Sequence, residues 1–206
     1  GYIAPRHLRA IHDTGNRIVA AIETRIQTSE AEYASQIPTE NLDAWSAYHR
    51  GLSHMSRFNH RDNQIAKEMF ERAIHSDQRF ARAHAGLSFT HFQDAFLGFT
   101  DDRAASCDMV RRSAESSLEL DRFDPFVNLT MGRAAWINDQ IDEAATWLDH
   151  SVELCPNFAF AFYNRGLIDV IRNEGQTVEQ KIRKAMALSP IDPLNYAFYA
   201  TVAMSN

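Results

Sequence analysis

The chain has 206 residues, enough for one large or two small domains with a substantial core, and its make-up (45% hydrophobic, 23% charged) is that of a soluble globular protein. A formal net charge of −6 argues against general attraction to nucleic acid phosphate, although 18 of the 21 basic residues are Arg and leave room for a local basic patch. No run of 18 or more apolar residues exists to span a membrane, and two isolated thiols, Cys107 and Cys155, fit a reduced, cytoplasmic setting better than a disulfide framework.

The first residues, GYIAPRHL, lack an initiator Met and a signal-peptide apolar core, so the chain reads as a piece cut from a longer protein. Residues 1–10 show no pattern. Residues 13–36 read as one long helix, with Ile18, Ile22 and Ile26 on a stripe and Arg17, Glu23, Arg25 and Glu30 mostly elsewhere. Such a helix needs a surface for its stripe: the next element, a sister chain or a missing upstream domain. Ile37-Pro38-Thr39 breaks it, because the residue before proline avoids the α region. Residues 1–40 thus form an N-terminal segment, and residues 41–206 a second unit.

That second unit is periodic. Residues 125–158 lie over residues 159–192 without a gap: Gly132 falls on Gly166, Ala144 on Val178, Leu148 on Ile182, Leu154 on Leu188, and Pro156 on Pro190. A period of about 34 residues with small and large apolar positions in register predicts a helix–turn–helix repeat, each with a helix A and a helix B. Two looser copies precede the pair. In residues 41–80, Gly51 takes the small position of helix A, and Ala66, Phe70 and Ala73 take helix B, with a turn longer by three residues. In residues 81–124, about ten extra residues near 97–103 imply a longer helix A or a large loop. Gly86 stands two positions before the small site there. Asp139 and the box Thr177-Val178-Glu179-Gln180 are expected to cap their helices B, and Asp101-Asp102 to cap another. Residues 193–206 open a fifth helix A, whose Tyr196, Phe198 and Tyr199 are expected to bury against the fourth repeat and partly against a second chain.

Catalytic signatures are missing. Neither G-x-x-x-x-G-K nor G-x-G-x-x-G occurs, and the glycines are used for helix packing. Nine histidines include His84 and His91 near one helix face, but no H-E-x-x-H pair or close Cys/His cluster accompanies them. They read as surface or groove histidines, and Cys107 as a packed thiol. No catalytic, cofactor or metal-binding residue is assigned, and the fragment is not expected to be an enzyme.

The stretch NDQIDEAATWLDHSVELCPN has a polar turn, a small residue, a large apolar residue and a closing proline in order, and with its neighbours it resembles the tetratricopeptide (TPR) repeat family. The resemblance implies an all-α, right-handed solenoid of about four repeats with an extra helix at each end. It also implies a concave groove lined by helix A positions 2, 5, 9 and 12. These fall on Arg82, Ala85, Phe89 and Phe92 in the second repeat, on Phe126, Leu129, Arg133 and Trp136 in the third, and on Phe160, Tyr163, Leu167 and Val170 in the fourth. The Lys and Asn of the chaperone-binding clamp are absent from the corresponding positions. A looser resemblance, carried by RIVAAIETRIQTSEAEYA, AWSAYHRGLSHM and AKEMFERAIHSDQRFARAHAGLS, is to the C-terminal repeat regions of bacterial winged-helix transcriptional activators and of some adenylate cyclases. It implies a cytoplasmic regulatory module that binds a protein or peptide partner, with the DNA-binding or catalytic part elsewhere; the alternative is a cyclase's accessory region. No membrane association or direct nucleic acid binding is expected of the fragment, and a homodimer is possible.

Overall fold

The computed structural model describes residues 39–205 apart from Pro193, and the helix expected over residues 13–36 lies outside them. Among the described residues there are nine helices and no strand: α1 (Thr39–Met55), α2 (His60–Ser76), α3 (Ala81–Leu97), α4 (Arg103–Leu120), α5 (Pro125–Ile137), α6 (Ile141–Leu154), α7 (Ala159–Ile171), α8 (Gly175–Leu188) and α9 (Asn195–Met204). Odd-numbered helices are helix A and even-numbered ones helix B of successive repeats. Each helix A packs on its own helix B and on the next helix A. Stacking of this kind gives a continuous core to units that cannot bury their apolar faces singly.

In the third and fourth repeats the small position lies at the closest approach of the pair. A Cβ on Gly132 would stand 2.7 Å from Cγ of Leu148 and 3.2 Å from the Ala144 carbonyl oxygen; one on Gly166 would stand 2.8 Å from Cδ1 of Ile182. Leu148 and Ile182 are fully buried because a backbone without a side chain lies over them. In the second repeat Ser88 takes that place, its Oγ donating to the Val110 carbonyl at 2.9 Å. Gly86 faces the repeat before it: a Cβ there would meet the Phe70 ring of α2 at 2.5 Å, and one on Gly51 would meet the same ring at 2.6 Å. Phe70 is so large that two helices, α1 and α3, must each offer it a glycine.

The extra residues upstream extend helices as well as turns. Helix α1 has 17 residues and α3 has 17, against 13 in each of α5 and α7. Helix α4 has 18 against 14 in α6, and a short loop around Gly98 takes the remainder. Every turn from A to B contains one left-handed residue: Phe58 (φ 50°), Gly98 (71°), Asp139 (63°) and Asn173 (59°). Asp139 and Asn173 are 34 residues apart and of the types that tolerate this conformation, whereas Phe58 is strained there.

This turn geometry corrects two expected caps. Asp139 is spent on the left-handed position, and α6 begins after Gln140 with no side-chain cap. Thr177 lies inside the first turn of α8, where its Oγ1 donates to Asp169 Oδ2 at 2.5 Å and lies 3.0 Å from the Glu174 carbonyl oxygen. The capping box therefore does not form. Asp102 does cap α4, accepting from the Ala105 N–H at 2.9 Å, and Asp124 caps α5, accepting from Phe126 and Val127 at 2.8 and 3.1 Å.

Contacts run between neighbouring repeats, with one addition from a turn: Phe58 of the first repeat packs against the cluster of Tyr163, Leu194 and Phe198. In α9 Phe198 is buried against the fourth repeat, as expected, while Tyr196 and Tyr199 are 69% and 68% exposed on the face turned away from it.

Candidate functional site

The A helices form the inner wall of the curve, and the side chains on it come from four of them. Phe92 and Phe96 on α3, Arg133 and Trp136 on α5, Tyr163 and Leu167 on α7, and Leu194 and Tyr196 at the start of α9 surround a cavity of about 210 Å³, with Phe58 and Gln93 also in its wall. A second hollow of about 200 Å³ lies on the other side of Phe58, between Met55, Phe89, Phe160 and Leu194. The aromatic step along α3 arises from helical spacing: Phe89, Phe92 and Phe96 share one face, and Phe92 stacks on Phe96 with centroids 5.2 Å apart.

Arg133 is the centre of this wall. It is only 5% exposed. Its Cζ stands 4.1 Å from the centroid of Phe89, 4.5 Å from Phe92 and 4.8 Å from Phe160. Its Nε donates to Asn164 Oδ1 at 2.8 Å, and Asn164 is held in turn by donation to the Phe160 carbonyl at 2.7 Å. Nη1 has no hydrogen-bond partner, and among the described residues no carboxylate pairs with the guanidinium. Burial pushes its pKa down to about 9, with the nearby Tyr163 hydroxyl acting in the opposite sense, so the group remains a cation at neutral pH. Cation–π contacts are worth up to about 2 kcal/mol each when desolvated. Removing an unpaired ion from water costs several kcal/mol. The rings therefore offset part of the cost and leave a cation in want of an acceptor. Tyr163 sits beside it, its own pKa raised by burial, with its ring 4.7 Å from Phe198.

The nine residues expected to form the groove divide into three groups. Phe89, Phe92, Arg133 and Tyr163 converge on this centre but are nearly covered, at 1%, 2%, 5% and 9% exposure. Phe126, Trp136 and Phe160 are half-buried around them and keep free surface. Of the remaining two, Leu129 leaves the groove, fully buried among Ala144, Leu148 and Ile168, and Arg82, its side chain 41% exposed in the first turn of α3, donates from Nε to the Asp124 cap of α5 at 2.6 Å. Leu129 departs because position 5 of the third repeat points between the paired helices.

Phe58, Gln93 and Leu194 line the cavity without having been expected there. The three-residue lengthening of the first turn was the only sign of Phe58. Gln93 donates from Nε2 to the Met55 carbonyl at 3.0 Å, and its Oε1 has no partner. Among the described residues no cluster of three or more His, Cys, Asp or Glu stands ready for a metal. His91 is buried, its Nε2 unpartnered, and desolvation with the Lys67 charge lowers its pKa to about 4.

No protein-family profile and no curated protein matches the chain. Solved structures do. A thermophilic TPR protein of Thermus thermophilus superimposes with a TM-score of 0.65 at 11% identity, covering 93% of this chain and 98% of that one. PilF of Pseudomonas aeruginosa superimposes with a TM-score of 0.57 at 16% identity, covering 82% and 79%. The fold is thus the all-α TPR solenoid, an architecture used as a protein-interaction scaffold.

Proposed function

We propose that this chain is a non-catalytic interaction module of a cytoplasmic bacterial transcriptional regulator, and that the concave face of its second to fourth repeats takes a peptide segment or helix of a partner protein. The observation that carries the reading is the aromatic inner wall around Arg133. Aromatic and Arg side chains bury much area at low entropic cost and most often dominate binding energy. Phe96 is 51% exposed and Leu97 42%, so the rim of that wall is apolar surface left open to solvent. Groups of this kind mark interaction sites. The regulatory context rests on the sequence resemblance of the segments leading into the first two repeats. A homodimer contact is supported by Ile191, Tyr196 and Tyr199, which are 56%, 69% and 68% exposed near the final helix.

The test separates binding from packing. Phe92→Ala should lower stability by about 3–5 kcal/mol, as a buried ring does. Trp136→Ala should melt within a few degrees of the unaltered chain and lose partners captured from a source lysate. A Trp136→Ala variant that keeps every partner would sink the groove assignment. Sedimentation velocity showing a monomer at high concentration would remove the homodimer.

A further inference from the structure

We infer that the cavity beside Arg133 is a binding site for a small free organic acid, whose carboxylate meets the guanidinium and whose apolar body lies among Phe92, Trp136 and Leu167. The inference goes beyond peptide binding on the groove and does not depend on it. Three features carry it. Arg133 is nineteen-twentieths buried, its Nη1 has no hydrogen-bond partner, and no carboxylate among the described residues neutralises it. A buried donor left unmade is costly, and a guanidinium fork is the group best matched to a carboxylate. Its position is fixed in advance, because Asn164 holds Nε and three rings hold the plane from the sides.

The shape of the cavity selects a small molecule over a chain segment. At about 210 Å³ it is smaller than the roughly 300 Å³ at which drug-sized pockets begin. Phe58 reaches across from the first repeat to the Leu194 segment and bounds it on one side, so a peptide lying on the exposed rim of Phe96 and Leu97 does not fill the cavity beneath. The walls are otherwise aromatic and aliphatic, apart from Gln93, whose Oε1 supplies one spare acceptor. An acid with a short alkyl or single-ring body satisfies both the charge and the apolar surface.

Hexanoate and phenylacetate are the probes, titrated calorimetrically into the full 206-residue chain, with hexan-1-ol and 2-phenylethanol as uncharged counterparts. At least one acid is expected to bind with one site, about tenfold or more tighter than its alcohol, as a charge-assisted pair requires. Arg133→Met should lose that preference, and Arg133→Lys should weaken it. If Arg133→Met does not fold, acid against alcohol on the unaltered chain decides alone. Equal binding of acid and alcohol, undiminished acid binding by Arg133→Met, or binding only by an apolar pentapeptide with a free C-terminal carboxylate would each overturn the inference. A loss of lysate partners in Trp136→Ala leaves it untouched, so the two readings fail separately.

Discussion

Arg133 and Arg165 are two buried arginines on neighbouring A helices, and their surroundings are opposites. Arg165, on α7, is 7% exposed; its Nε donates to Asp149 at 2.7 Å and its Nη1 to Asp169, which is fully buried. Asp169 also accepts from Thr177 and Lys181, each at 2.5 Å, so the fourth repeat encloses a network in which charges answer one another. The second repeat repeats the device, with buried Asp94 accepting from Asn63 at 2.6 Å and paired to Lys67. Arg133, 5% exposed, has aromatic rings and one amide instead. Where a buried charge serves the fold, the chain supplies its counter-charge. Where it faces the cavity, the counter-charge is left for something else to bring.

The largest effect that sharpens the comparison comes from the answered network. Asp169→Ala leaves Arg165 and Lys181 without their shared partner, and breaking a buried pair costs about 3–5 kcal/mol, to be read from urea unfolding. A loss below about 1 kcal/mol would mean that the network does not bear on stability and that the contrast with Arg133 is empty. Gly166→Leu in the same repeat should overpack Ile182 and cost about 1–3 kcal/mol. An unchanged melting temperature there would show that the helix pair is set differently.

His91 tests the second network by pH. Its folded pKa of about 4 lies below the ordinary 6.5, so between those values the unfolded chain binds the proton that the folded chain refuses. Stability from this group is complete above pH 6.5 and is lost as pH falls toward 4. The His91→Gln variant should flatten the stability profile within that window. An unaltered slope would show that burial beside Lys67 does not control this histidine. The smallest change is expected at Arg133 itself. Arg133→Met, which removes an ion without a counter-ion, should stay within about 1 kcal/mol of the unaltered chain, in contrast to Asp169→Ala.

The repeat fold was legible because Gly132 and Gly166, Leu148 and Ile182, and the prolines after α6 and α8 recur at one spacing, and spacing maps directly onto helix stacking. The helix caps were less so. A sequence shows that Thr177 and Asp139 are types that cap, but not that Asp169 claims the hydroxyl of one and a left-handed turn claims the backbone of the other. Arg133 was legible as a groove position, while its lack of a counter-charge depends on what α3, α7 and α9 bring near it in space. Phe58 showed only as a lengthened turn for the same reason, since no periodic pattern places a turn residue of the first repeat against the cluster of Leu194 and Phe198. The exposed Tyr196 and Tyr199 reflect a limit of composition: an aromatic-rich helix buries only the face that has a neighbour.

The most direct test follows the two arginines together by NMR, recording the Nε–H resonances of Arg133 and Arg165 and the indole N–H of Trp136 as hexanoate is added to the full chain. The account predicts that Arg133 and Trp136 move along one saturating curve while Arg165 stays still. Movement of both arginines alike, or stillness at Arg133 up to millimolar acid, would contradict the claim that the concave side keeps its buried charge open for a ligand.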